Sequence, residues 1–216
     1  MIKELYFRGE KDAGKVRLWK ERLHGAAQRW KPFRLKQSAL LVVDMQNYFL
    51  DARSHAFVPS GPAILPNVVK LVRLFRSADR PVVFTYFAVR KEEQDPIGQW
   101  WGNTVYDGTP ASRIVDELKS EEGEPIIRKS SYNPFCGTEL ETFLRSADVQ
   151  GLVVAGVLTN FCCETAVREA FCRGFDAFVP IDATASFTEE MHVSSLVTLS
   201  YGFATPLSTE EFLHFS

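Results

Sequence analysis

Apolar residues in this 216-residue chain fall into short unbroken runs, separated by stretches where they recur every three or four positions. Ala39-Leu40-Leu41-Val42-Val43 has strand length and no polar alternation, the pattern of a strand buried on both faces. Val82 to Phe87, Ile126-Ile127-Arg128, the stretch 152–157, Ala177 to Ile181 and a short piece near Phe203–Leu207 read the same way. Between them, Val68, Leu71, Val72 and Phe75 mark a helix stopped before Pro81. Further helices are expected over 110–119, 160–173 and 188–201. Thr138-x-x-Glu141 has the form of a capping box opening a helix that ends near Ala147, and Ser208 opens a last turn. Residues 88–108 read as irregular and aromatic-rich. Strands alternating with helices predict a three-layer α/β fold, a mostly parallel sheet with helices on both faces. Ligands of such sheets bind beyond the carboxyl ends of the strands, so strand ends are where chemistry is sought.

Ahead of the first strand, Val16, Trp19, Leu23, Ala26 and Trp30 recur at helical spacing among basic residues, which predicts a helix over 11–31. Residues 1–37 hold 11 Lys or Arg against 4 Asp or Glu, while the rest holds 14 against 23. A basic N-terminal extension (1–37) thus precedes an acidic body (38–216), and the whole carries −2. That balance gives no reason to expect nucleic acid or a membrane as partner. No signal-peptide pattern and no bilayer-length apolar run stand out, so a cytoplasmic location is expected. The four cysteines, at 136, 162, 163 and 172, form no C-x-x-C pair. They read as reduced thiols, with Cys136, Cys163 and Cys172 as packing residues.

Three strand ends carry chemistry. The first ends in Asp44, the strand around Ile127 ends in Arg128-Lys129, and the strand 152–157 leads through Leu158-Thr159-Asn160-Phe161 into Cys162. Cys163, Val167, Ala170 and Phe171 make one apolar stripe of the helix that follows. Cys162 lies about 100° around from it, which selects Cys162 as the nucleophile. At a strand-to-helix turn, free N–H groups, the helix dipole and a nearby Lys129 all favour thiolate. Asp44 can take a proton and return it to a leaving amine, and N–H groups around Leu158 and Cys162 can receive an oxyanion.

The segments Val-Val-Asp-Met-Gln-Asn, Lys-Ser-Ser-Tyr-Asn-Pro-Phe, Gly-Val-Leu-Thr-Asn-Phe-Cys and Asp182-Ala183-Thr184-Ala185-Ser186-Phe187 together resemble the isochorismatase-like cysteine hydrolases over about residues 38–208. The resemblance implies a six-stranded parallel sheet and an Asp-Lys-Cys triad at Asp44, Lys129 and Cys162. It further implies a cis peptide between Val157 and Leu158, and a homo-oligomer, dimer or tetramer. Nicotinamidase-like members often carry an Asp/His metal cluster after the first two strands. Here Thr85 to Arg90 contains no histidine and His55 stands alone, so no metal and no other cofactor is expected, and nicotinamidase is disfavoured. True isochorismatases resemble the chain at Trp101-Gly102 but typically lack the cysteine.

The expected activity is hydrolysis of a small-molecule amide or ureido C–N bond through a thioester-type intermediate. One alternative is vinyl-ether hydrolysis by Asp44 without the cysteine. Another is a non-catalytic binding protein, marked by triad side chains more than about 5 Å apart, beyond hydrogen-bond reach. The substrate pocket is expected to draw on Gln46, Phe49, Trp100, Trp101, Tyr132 and Phe161, whereas Arg90, able to grip a substrate carboxylate, reads first as a surface charge.

Overall fold

A computed structural model describes residues 2–23 and 29–215. The apolar runs form a seven-stranded sheet whose strand pairs are all parallel. Its strands are β1 (Ser38–Val43), β2 (Val82–Phe87), β3 (Ile126–Lys129), β4 (Gly151–Val157), β5 (Asp176–Pro180), β6 (Thr184–Ala185) and β7 (Ala204–Leu207). The order is β3-β2-β1-β4-β5-β7, and the two-residue β6 pairs with the end of β4, giving one strand more than the six expected.

The helices are α1 (Ala13–Glu21), α2 (Asn47–Leu50), α3 (Gly61–Ser77), α4 (Pro96–Trp101), α5 (Leu140–Ser146), α6 (Glu164–Cys172), α7 (Glu189–Gly202) and α8 (Thr209–Leu213). Alternate residues of β1 feed opposite cores. Leu40 and Val42 pack with α3, whereas Ala39, Leu41 and Val43 pack with α5 and α6. This two-sided burial is why β1 carries no polar alternation. Among the described residues no helix is long and apolar enough to cross a membrane.

Several local expectations differ from the structure. The N-terminal helix stops at Glu21, where the chain turns and Leu23 donates back to Lys20 O. Trp19 enters one core and Leu23 the other, so a single helical face does not serve both; the predicted continuation through Ala26 lies outside the described residues. Residues 110–119 form two short 3₁₀ turns, Pro110–Ser112 and Asp116–Leu118, in place of a helix. The backbone between them bonds to the loop after β1 instead, through Asn47 N–H to Arg113 O and Val115 N–H to Met45 O. The Thr138 capping box does not form, because the hydroxyl donates to Pro134 O and Glu141 pairs with Arg145 and Arg173. Ser208, by contrast, makes a complete capping box with Glu211. Cys136, Cys172 and Phe171 are exposed rather than packed.

Candidate active site

β1 lies between β2 and β4, with β3 beyond β2. Val43, the last residue of β1, is in register with Thr85 on one side and Gly156 on the other, and Phe87 is in register with Lys129. The ends of β1, β3 and β4 therefore share one rim. Gly156 permits the closeness: its φ is +122°, and a Cβ there would sit 2.1 Å from Val43 O. Asp44 itself has φ +52°, a left-handed conformation uncommon outside glycine. Its N–H bonds to Thr85 O and its carbonyl accepts from Gln46 N–H.

The rim brings the three expected residues together. Lys129 Nζ lies 2.6 Å from Asp44 Oδ2 and 3.2 Å from Cys162 Sγ, and donates to Ser131 O at 3.0 Å. Two of the three ammonium donors are aligned, on Cys162 and Ser131, and the Asp44 contact is an ion pair. Both charged side chains are fully enclosed. Thr85 Oγ1 donates to Asp44 Oδ1 at 2.8 Å, while Oδ2 has the ion contact but no aligned hydrogen-bond donor among the described residues. Thr85 was missed in the sequence. The register of β2 against β1 is the signal that points to it. The Lys129 contacts to Asp44 and Cys162 fall well inside the separation that would mark a lost triad.

Electrostatics correct one expectation. Burial pushes the Cys162 thiol up, Lys129 pulls it back, and Asp44 adds to the rise, leaving its pKa at about 12. Burial also opposes the Lys129 ammonium, yet Asp44 and Cys162 beside it outweigh that and hold it above the usual lysine range. Burial thus favours a neutral thiol over a standing thiolate at Cys162. Desolvation of the sulfur, invisible in sequence spacing, is the reason. Cys163, also buried, is pushed up as well.

Cys162 lies in a π-helical turn, Thr159–Cys163, that joins β4 to α6. Its wide bonds run from Cys163 N–H to Leu158 O and from Glu164 N–H to Thr159 O. Such turns recur at functional sites. The Val157–Leu158 peptide is cis, as the resemblance implies.

Cys162 opens on a cavity of about 40 Å³. Phe161 lines it from the same turn and Leu158 from just before it, Ile97 and Trp101 from α4, Phe87 from β2, and Tyr48, Phe49 and His55 from the stretch after β1. Tyr132 and Phe187 add aromatic walls, with Ala56 and Asn103 beside them. Trp101 Nε1–H donates to Tyr132 Oη at 2.8 Å, and Tyr132 stacks on Phe161. Phe49, Trp101, Tyr132 and Phe161, expected at a substrate pocket, line this cavity, and Tyr48, Phe87 and Phe187 line it without having been expected. Gln46 does not reach the cavity. It is buried, with its amide donating to Phe87 O and Ala111 O and accepting from Phe87 N–H, so it stitches loops together. Trp100 is exposed, and Arg90, also exposed, faces Asp107 at 3.9 Å away from the cavity. No Lys or Arg side chain among the described residues lines the cavity.

Asp51, the acid nearest His55 in sequence, is held by Arg53 at 2.7 Å. No group of three or more His, Cys, Asp or Glu among the described residues could hold an ion.

The Isochorismatase domain model matches residues 38–211. Nicotinamidase 3 of Arabidopsis thaliana is 38% identical over 177 residues, covering 78% of this chain and 83% of its own. A probable inactive nicotinamidase of the same plant, At3g16190, is 31% identical over 83% of this chain and 94% of its own. A cysteine hydrolase structure from Pseudomonas syringae pv. phaseolicola 1448A superposes with a TM-score of 0.80 at 26% identity, covering 86% of this chain and 94% of that one. The chain therefore belongs to the isochorismatase-like hydrolase family.

Proposed function

We propose that the protein hydrolyses a small, uncharged, planar carboxamide through a covalent intermediate on Cys162. The observation that carries this reading is the Asp44–Lys129–Cys162 cluster, whose Cys162 opens on an aromatic cavity without a Lys or Arg in its lining. A water takes roughly 10–15 Å³ of such volume, so about 40 Å³ suits a compact planar group. Ureido acids and isochorismate carry carboxylates, which call for cationic partners in an apolar site. Nicotinamidase, disfavoured above for want of metal ligands, returns as the nearest substrate analogy.

Asp44 Oδ2 takes the Cys162 proton as sulfur bonds to the amide carbon, and the carbonyl electron pair moves to oxygen. The N–H groups of Leu158 and Cys162 receive that oxyanion, each donor worth roughly 3–4 kcal/mol of barrier. The pair returns, the C–N bond breaks, and Asp44 delivers its proton to the departing amine. Water then attacks the thioester, giving one proton to Asp44 and releasing the acid as the thiol re-forms. Lys129 stays charged throughout and keeps Asp44 and Cys162 oriented toward each other. Because the thiol rests neutral, thiolate is made only as substrate is attacked.

A substrate panel tests the assignment: nicotinamide, a ureido acid and isochorismate, scored for ammonia or acid release. The carboxamide is expected to exceed the others at least a hundredfold in kcat/KM. A ureido acid or isochorismate turning over faster would reverse the substrate reading.

A further inference from the structure

We infer that His192 is a positioning residue for the turn that carries Cys162, and that the N-terminal segment seats it. The inference rests on Cys162 being the nucleophile. His192 lies on α7, is fully buried, and lines no part of the cavity. Its Nε2 is 3.2 Å from Ile181 O, and a carbonyl oxygen only accepts, so Nε2 carries the proton. The bare Nδ1, 2.8 Å from Thr159 Oγ1, then accepts from that hydroxyl. Burial keeps the ring neutral, with its pKa lowered to about 4.

Thr159 is the first residue of the π turn, directly after Leu158 and three before Cys162. Its carbonyl accepts from Glu164 N–H within the turn and lies 3.2 Å from Ser195 Oγ on α7, whose single proton is shared with the Glu164 carboxylate. The hydroxyl of Thr159 is thus fixed by α7 while its carbonyl closes the turn. This defines where the Leu158 N–H and Cys162 Sγ stand relative to each other. Misplacing such groups by an ångström can cost on the order of a hundredfold in rate.

The far side of the imidazole is closed by residues that precede the family domain. Trp19 and Tyr6 lie 4.8 and 5.6 Å from the His192 ring centre. Tyr6 Oη accepts from Ser186 N–H at 2.9 Å, and Trp19 Nε1–H donates to Glu189 at 2.8 Å. The basic N-terminal segment, whose role the sequence left open, thereby becomes a support for the nucleophile turn.

Steady-state kinetics on the amide substrate, each variant assayed well below its own melting temperature, test this. Thr159→Val is expected to lower kcat ten- to a hundredfold with KM within twofold. Thr159→Ser and His192→Asn, whose side-chain oxygens can replace the lost donor and acceptor, keep kcat within threefold. Tyr6→Ala lowers kcat in the native background but adds nothing to Thr159→Val. Native kcat in Thr159→Val, or equal losses in Thr159→Ser and Thr159→Val, overturns the inference, as does an additive effect of Tyr6→Ala in both backgrounds. A Cys162→Ala control separates the two readings. If it stays active the nucleophile is wrong, whereas if it is dead and Thr159→Val is normal, only the role of His192 fails.

Discussion

Lys129→Met probes the charge arrangement most sharply, because methionine keeps the length of the stem and removes only the ammonium. In the native protein that ammonium stands 2.6 Å from Asp44 Oδ2, and neither side chain is exposed to water. The substitution leaves a buried carboxylate with Thr85 Oγ1 as its remaining hydrogen-bond donor. Breaking a buried ion pair from one side costs about 3–5 kcal/mol, since the stranded charge keeps its desolvation penalty. For a chain of this size each kcal/mol moves the melting temperature by about 2–4 °C, so a fall of roughly 6–20 °C is expected. Adding Asp44→Asn removes the stranded charge. Asn also tolerates the left-handed backbone at that position. The double variant is therefore expected to regain about 2–3 kcal/mol over Lys129→Met alone. Urea denaturation at pH 7.5 of the native, single and double forms measures all of this. A Lys129→Met protein within about 1 kcal/mol of native, or a double variant less stable than the single, would refute the buried pair.

Other expectations follow from the same contacts. His192 is depressed from 6.5 to about 4 by burial, against some support from Ile181 O and Glu189. The unfolded chain thus binds a proton that the folded one refuses, and stability falls as pH drops from 6.5 through 4, by about 3 kcal/mol in full. Denaturation midpoints at pH 7.5 and 4.5 should converge less for the native protein than for His192→Asn; equal losses in both would contradict this. Gly156→Ala forces a methyl to within 2.1 Å of Val43 O at a φ of +122°, and is expected to cost at least about 2 kcal/mol and most of the activity. Gln46→Ala strands the Phe87 N–H and should cost about 1–3 kcal/mol in denaturant while leaving KM unchanged; a raised KM without lost stability would return Gln46 to the pocket.

The parts of the fold that the sequence disclosed are those with local causes. β1 and β4 are unbroken apolar runs because both their faces are buried, and Asp44 follows such a run directly, so its place at the rim was legible. Ser208 with Glu211 spelled out a cap that forms. Residues 110–119 misled because their backbone bonds to Met45 and Asn47, far away in sequence. Gln46 sat in the right motif, yet its amide turns inward to Phe87, a direction that spacing does not encode. The thiol's neutrality was hidden for a related reason: burial of Cys162 is a property of packing from both sides of the turn. The Thr159–His192 contact joins residues 33 positions apart and left no local signature.

Cys162→Ala and Cys163→Ala, compared for ammonia release from the best carboxamide, test covalent catalysis most directly. The two sulfurs are adjacent and both buried, so general damage to the core falls on both variants alike. The expected result is a loss of at least about a thousandfold in kcat for Cys162→Ala, against less than tenfold for Cys163→Ala. A Cys162→Ala protein that turns over at near-native rate would contradict a nucleophilic sulfur at this rim.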